Sequence, residues 1–481
     1  MASRGWFGIP FFDRQPETTT TACVLSGGGS RASFQIGALS YLYAMDPEFT
    51  PTIFVGTSAG AILASGLAQY ADVEGQRGFL RRIDELWSGM RESEDMFTPR
   101  PWLARILAEA PAWLELVGQA GRPQETQRSW LPRRRRRPDP VEVEEPSDPV
   151  AEALSPDVEL RVDFSFSLVA QLAGNLGRLP KLGGDLVAAR AGLEQSRSMY
   201  RPGPVLAQLL DPDTFDPQRV RHSGVELRIA MVALETGHLH FMRQDGALVN
   251  REDQVIDPGP HNLTRGVLAS CSLPGVFRPV PIGAETYIDG GARENLPAEM
   301  AMGHLGAGRT YVVSSQFDGV PRRASMADAD IFQVVMRATE ILMDESGRDE
   351  QAYAHSAGAV VISPEVDVHD PMTVKPGLVG IFRDHGWSRA AAVIQGATPD
   401  ESQALNRVTE LRMRAHDLEE DWLEDPADRR RLIELGSAKL ELRDAIARCP
   451  EDLLNPGTIL SWRDFEAHPE PPLIDPPWLG R

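Results

Sequence analysis

Apolar residues fall along the chain in short aliphatic runs, each followed by a glycine-rich turn and then a longer apolar stretch. Runs at 22–25 and 53–55 read as buried strands, and the stretches after them, ending near Met45 and Tyr70, read as helices. A further helix is predicted over 76–87. Strand, loop, helix, strand, loop, helix in that order requires parallel strands joined by right-handed crossovers. The pattern then predicts a strand at 225–234, a turn at Thr236-Gly237 and a return strand at 239–242. Strands near Tyr287-Ile288 and at 310–314, a helix over 329–343 and a strand at 360–363 follow. Residues 400–448 read as charged helix, with Glu410 and Arg414 one turn apart as a charge pair. The chain from Pro450 is rich in proline and reads as a surface tail. The fold class is therefore α/β, with a mostly parallel central sheet between helical layers.

The rhythm breaks between 97 and 201. Within this segment 101–117 has helical periodicity, carried by Trp102, Ile106, Trp113 and Val117, with a kink expected at Pro111. An arginine block, Arg133 to Arg137, leads through Pro138 into acidic sequence holding Glu142, Glu144, Glu145 and Asp148. Like-charge blocks bounded by proline do not fold alone, so partial disorder is expected around 122–155. The segment reads as a large insertion: either a helix packed on the domain beside a solvated loop, or a lipid-facing lid.

The clearest chemistry lies in the turn after the second strand. Gly56-Thr57-Ser58-Ala59-Gly60 is a Gly-x-Ser-x-Gly motif set between strand and helix. That setting lifts a serine hydroxyl above the sheet edge, and the helix N-terminus favours an oxyanion beside it. The turn after the first strand, Gly27-Gly28-Gly29-Ser30-Arg31, offers consecutive backbone N–H groups to an anion. A dinucleotide pyrophosphate would call for an acidic residue at the end of the second strand. That strand ends instead in Val55-Gly56 and the serine turn, so a reaction oxyanion is the better reading. A nucleophilic serine needs a base. None of the 10 histidines lies in a motif, whereas Asp289, at a strand end before Gly290 and Gly291, is placed to accept a proton if shielded from water.

Charge and cysteine content narrow the partners. With 49 basic and 69 acidic residues the net charge is −20, which argues against nucleic-acid binding. Cys23, Cys271 and Cys449 form no disulfide or structural-zinc pattern, and a cytoplasmic setting fits; the chemistry expected of Ser58 and Asp289 itself calls for no metal or organic cofactor. The uncharged stretch 49–71 is long enough to span a bilayer, but Pro51, Gly56, Gly60 and Gly66 divide it into strand, turn and helix.

Taken together, these blocks resemble the patatin-like phospholipases. Gly27 to Arg31 is similar to that family's oxyanion-hole loop, and Gly56 to Gly60 to its nucleophile elbow. Ala269-Ser270 with Pro274, Phe277 and Pro279 resembles the block ahead of its dyad acid. Asp289-Gly290-Gly291 with Asn295-Leu296-Pro297 resembles the acid block itself. The resemblance runs from Cys23 to about Ser315. It implies a carboxylic ester hydrolase with a Ser58–Asp289 dyad and oxyanion donors among Gly27, Gly28, Gly29 and Ala59. The implied substrate is a phospholipid met at a membrane surface. It places a three-layer catalytic domain at 18–316 and leaves 317–481 as a helical extension with its proline-rich tail. One departure is Ala32, where the family usually has glycine. Two other readings stand beside it: a conventional Ser-His-Asp esterase, and a noncatalytic lipid-binding scaffold on the same fold.

Overall fold

The structure, a computed structural model, describes residues 20–101, 103–104, 198–317, 326 and 331–457. The arginine block, the segment expected to be disordered, most of the predicted 101–117 helix and the end of the proline-rich tail lie outside the described residues.

The first half alternates as expected. β1 (Thr21–Leu25) leads to α1 (Ala32–Met45), and β2 (Pro51–Gly56) to α2 (Ala59–Leu67) and α3 (Val73–Gly89). A small hairpin, β3 (Phe97–Pro99) with β4 (Tyr200–Pro202), brackets the insertion. Then come β5 (Glu226–Ala233), β6 (Leu239–Arg243), β7 (Leu248–Val249), β8 (Val255–Asp257), β9 (Val280–Ile282) and β10 (Glu285–Asp289). β11 (Arg309–Val313) and β12 (Val360–Ile362) complete the sheet. Its order is β12-β11-β1-β2-β5-β6-β7-β8, with β12 through β5 all parallel. From β5 outward the hairpins run antiparallel.

Strand alternation sorts the core into two layers. Cys23, Leu25, Phe54, Tyr311 and Val313 face one cluster, shared with α1, α2, α3 and the helix Pro376–Gln395. Ala22, Val24, Ile53, Val55 and Val312 face the other, which includes Leu296, Met300 and Ala354. Because the parallel strands are covered on both faces, β1 is buried along its whole length.

Three details differ from expectation. The boundary drawn at 316/317 cuts through the core, because β12 joins the sheet and Ile381 and Phe382 share the first hydrophobic layer. The helix expected at 329–343 runs Ile331–Ser356, and its C-terminal half packs on the sheet through Ala354. The expected Glu410–Arg414 pair does not form. Glu410 pairs with Arg407 at 3.3 Å and Arg414 with Glu441 at 3.5 Å, because the helix Arg429–Arg448 lies alongside Pro399–Glu424. These two helices also bury the Lys439–Glu419 pair at 2.6 Å.

α1 and Pro376–Gln395 approach closely through reciprocal glycines. A methyl group at Gly37 would overlap the Arg383 carbonyl, and one at Gly386 the Phe34 carbonyl. Gly380, on the same helix as Gly386, has open space where a Cβ would stand. We therefore expect Gly386→Ala to destabilise by about 1–3 kcal/mol through overpacking. Gly380→Ala should instead stabilise by about 0.5–1 kcal/mol from helix propensity. Urea unfolding midpoints of the two variants check this opposite pair of signs.

Candidate active site

The site forms where two strands end head to head along β5. β2 runs parallel to β5 and stops with Gly56 opposite Ile229. β10 runs antiparallel to β5 and stops with Asp289 opposite Met231. β6 occupies the other edge of β5, so β2 and β10 share one edge and converge on Ala230. Gly290 lies against the Ala230 backbone in that gap. The chain must leave the sheet on both sides of the gap. It does so through Thr57-Ser58 on one side and Gly290-Gly291 on the other.

Ser58 has φ 53° and ψ −127°, a left-handed conformation unusual for a residue with a side chain. Such strain costs about 1–3 kcal/mol and persists only when neighbours over-determine it. Here they do. The Ser58 N–H donates to Ser270 Oγ at 2.9 Å, and Cys271 Sγ donates to the Ser58 carbonyl at 3.3 Å. Thr57 N–H is held by the Leu25 carbonyl at 3.1 Å. Gly56 lies against the backbone of Gly60 and Ala61, and Gly60 in turn lies under the carbonyls of Leu25 and Ser26.

Asp289 is 2% exposed. Its carboxylate accepts a hydrogen bond from Gly291 N–H at 2.8 Å and has the Ser58 hydroxyl as a neighbour. Burial pushes the carboxyl up to about 6, against these two groups, which favour the ionised form. An ionised carboxylate with that affinity is placed to take the serine proton near neutral pH. Among the described residues no histidine is hydrogen-bonded to Ser58 or Asp289. The buried His385 is held by Thr409, and His240 by Tyr287.

The glycine loop is fixed from several sides. Gly27 N–H donates to Asn295 Oδ1 at 3.0 Å, so it is committed and drops out of the expected oxyanion donors. The Gly27 carbonyl accepts from Ser315 Oγ at 2.8 Å and Ser26 Oγ at 3.0 Å. In a trans peptide the next N–H points the opposite way, so these bonds orient Gly28 N–H. Gly29 has φ +55°, and its backbone passes against the Pro371 carbonyl. The N–H groups of Gly28, Gly29 and Ala59 have no acceptor among the described residues. Three donors of this kind can stabilise a developing oxyanion.

Arg31, at the end of the glycine loop, is held by the chain that follows β12. It pairs with Asp367 and donates through Nε to the His369 carbonyl at 2.5 Å. Ser30 N–H and Ser30 Oγ both reach the Pro371 carbonyl at 2.9 Å. The 365–375 loop is thereby clamped on the glycine loop. Burial lowers His369 to about 4, so it stands neutral beside the Arg31 charge. Ala32 is fully buried in the core.

Residues 23–302 match the family of patatin-like phospholipases. The chain belongs to this family. No curated protein sequence matches it. Among solved structures, VipD from Legionella pneumophila is 13% identical with a TM-score of 0.34, over 94% of this chain and 88% of that one. The type III effector protein ExoU is 14% identical with a TM-score of 0.27, over 93% of this chain and 72% of that one. As a patatin-like phospholipase family member, the chain falls among lipid acyl hydrolases. No helix among the described residues is long and apolar enough to cross a membrane. His416, Asp417 and Glu420 form the one cluster of potential metal ligands among the described residues, and it lies on the C-terminal helix pair.

The structure brings Ser58, Asp289, Ala59, Gly28 and Gly29 together. Sequence reasoning missed the roles of Ser270, Asn295 and Ser315 in holding them. Ser270 and Asn295 stood in the recognised blocks, but nothing in the sequence marked which atoms they would bond.

Asp289 yields a stability prediction. Its folded carboxyl titrates near 6, against 3.8 without the fold, so ionising it costs folding free energy. The cost is absent below pH 3.8, grows between 3.8 and 6, and is complete above that. Asp289→Asn, still accepting from Gly291 N–H, should be more stable than wild type by up to about 3 kcal/mol at pH 7.5. The difference should vanish near pH 3.5. Urea unfolding at the two pH values measures it.

Proposed function

We propose that the protein is a serine acyl hydrolase that cleaves fatty-acyl esters of phospholipids at a membrane surface, with Ser58 and Asp289 as its dyad. The observation that carries this reading is a strained serine whose hydroxyl neighbours a buried carboxylate, beside a glycine loop in which the Gly28 and Gly29 N–H groups lack acceptors among the described residues. Asp289 takes the Ser58 proton as Oγ attacks the ester carbonyl. Gly28, Gly29 and Ala59 N–H groups hold the tetrahedral oxyanion. Collapse breaks the ester C–O bond, and protonated Asp289 returns the proton to the departing lysolipid alkoxide. The carboxylate then deprotonates a water that attacks the acyl-enzyme. A second collapse frees the fatty acid, and Ser58 recovers its proton. No step calls on a metal or organic cofactor.

The conventional triad finds no support in the site, since no described histidine reaches Ser58 or Asp289. A noncatalytic scaffold has no observation in its favour, because the serine, the carboxylate and N–H groups without acceptors among the described residues are all present. The insertion is rooted beside the site. Met199 N–H donates to the Gly275 carbonyl and Tyr200 N–H to the Val276 carbonyl, both at 2.9 Å, and Phe97 stacks on Phe277. These roots fix the insertion's ends against the loop that follows Ser270.

Fatty-acid release from mixed phospholipid vesicles, followed by mass spectrometry, tests the reading. Ser58→Ala should lower release by about 10⁴-fold or more and abolish labelling by a fluorophosphonate probe. Wild-type release by Ser58→Ala would overturn the assignment. For the wild type, kcat/KM should rise with pH through about 6 and level off above 7, because Asp289 must be ionised to act as base.

A further inference from the structure

Glu350 lies outside the matched family region, on the helix Ile331–Ser356, yet it touches the site's framework directly. Its carboxylate accepts from two consecutive backbone N–H groups, Asn295 at 3.1 Å and Leu296 at 2.6 Å, both to Oε2. Ser346, one turn earlier on the same helix, donates to Oε1 at 2.9 Å. Asn295, whose backbone is so held, turns its side chain onto the glycine loop. Its Oδ1 accepts from Gly27 N–H at 3.0 Å, and its Nδ2 donates to the Gly27 carbonyl at 3.5 Å. The same amide lies against Gly291, the residue that bonds Asp289. Gly27 in turn packs on the Ser58 Cβ.

We propose that Glu350 is a positioning residue for the oxyanion loop, acting through Asn295. The proposal rests on the reading of Gly28 and Gly29 as oxyanion donors. The chain of contacts is continuous and short: carboxylate to the Asn295 backbone, Asn295 amide to the Gly27 peptide, Gly27 carbonyl direction to Gly28 N–H direction. Donors aimed at a developing charge lose most of their effect when misplaced by about 1 Å. Without the Glu350 carboxylate, the Asn295 and Leu296 N–H groups lose their acceptor and the segment can rotate. Asn295 would then release the Gly27 peptide.

A second contact of the same helix supports the same role. Gln351 Nε2 donates to Ser314 Oγ at 3.0 Å, one residue before the Ser315 that holds the Gly27 carbonyl. The helix thus braces both segments that grip Gly27. Burial pushes Glu350 up to about 7 despite the bonds it accepts, with the neighbouring Glu294 acting in the same direction. A neutral acceptor at 350 should therefore serve at little electrostatic cost, which makes Glu350→Gln the informative conservative variant.

The test uses the full chain and phospholipid vesicles, with rates normalised to sites titrated by a fluorophosphonate probe. Glu350→Ala should lower kcat per titrated site by about 10- to 100-fold while KM changes by less than about 3-fold. Glu350→Gln, which keeps an acceptor for the two N–H groups, should recover most of that loss. Asn295→Ala cuts the link to Gly27 and should reproduce the fall in kcat, which keeps the proposal open to refutation if Glu350→Ala does not fold. Wild-type kcat per titrated site in Glu350→Ala or in Asn295→Ala would overturn it, as would Glu350→Gln no better than alanine. A Ser58→Ala control separates the outcomes. If that variant hydrolyses like wild type, the dyad reading has failed, and if it is inactive while the Glu350 series is unchanged, only the positioning role has failed.

Discussion

Asp289 is a carboxylate buried with no cationic neighbour among the described residues to stabilise its charge. In most buried carboxylates an arginine or lysine supplies that compensation and drives the pKa down. Here the compensation among the described residues comes from two groups, the Gly291 N–H that donates to it and the neighbouring Ser58 hydroxyl. The first is fixed by the chain itself. The second is the one the chemistry would consume. A cation in place of these groups would hold the carboxylate ionised but too weakly basic to take a serine proton. In the proposed dyad the missing counter-charge is therefore what would give the pair its reactivity, and the surrounding fold must tolerate the cost.

The tolerance comes from packing and from the backbone. β2 and β10 converge along one edge of β5, two residues apart in register, so the separation of Ser58 and Asp289 is set by strands buried in the sheet. A one-residue slip of β10 would turn Asp289 to the other face of the sheet. Buried neighbours on both faces make that slip expensive: Ile288 belongs to one layer and Tyr287 to the other. The glycine loop depends on the same order. It is gripped by Asn295 and Ser315 from beneath and by the 365–375 loop through Arg31 and Ser30 from outside.

How much of this was legible beforehand depends on how local the cause is. The parallel half of the sheet follows from aliphatic runs interrupted by glycine turns, and β1, β2, β5 and β11 stand close to where periodicity places them. Ser58, Asp289 and the glycine loop were legible because each carries its own local signature. The short strands β7, β8 and β9 have two or three residues each and leave no periodic trace. The helix Pro376–Gln395 was hidden for another reason. It is buried on several sides, so its apolar residues show no single face, and its close approach to α1 depends on the pairing of Gly37 with Gly386 across the fold. The Gly27 result has the same origin. A glycine in an oxyanion-like loop looks like its neighbours in sequence, and only the distant Asn295 removes its N–H from the set.

The division of labour across the sheet has a consequence for variation. The proposed nucleophile and oxyanion donors come from the parallel half, whose βα turns are short and locked by glycine contacts. The proposed base comes from β10, which enters from the antiparallel half and is tied to the rest by β5 alone among the described central strands. Changes that bend β5 should therefore alter the serine–carboxylate distance before they disturb the oxyanion loop. Changes in the helix Ile331–Ser356 should act on the loop before the dyad. The 97–201 insertion enters through β3 and leaves through β4, against the segment between Ser270 and Val280, which also shapes the elbow through Ser270 and Cys271. Its ends thus bear on the nucleophile turn, and variation there would be felt at Ser58 rather than at Gly28 or Gly29.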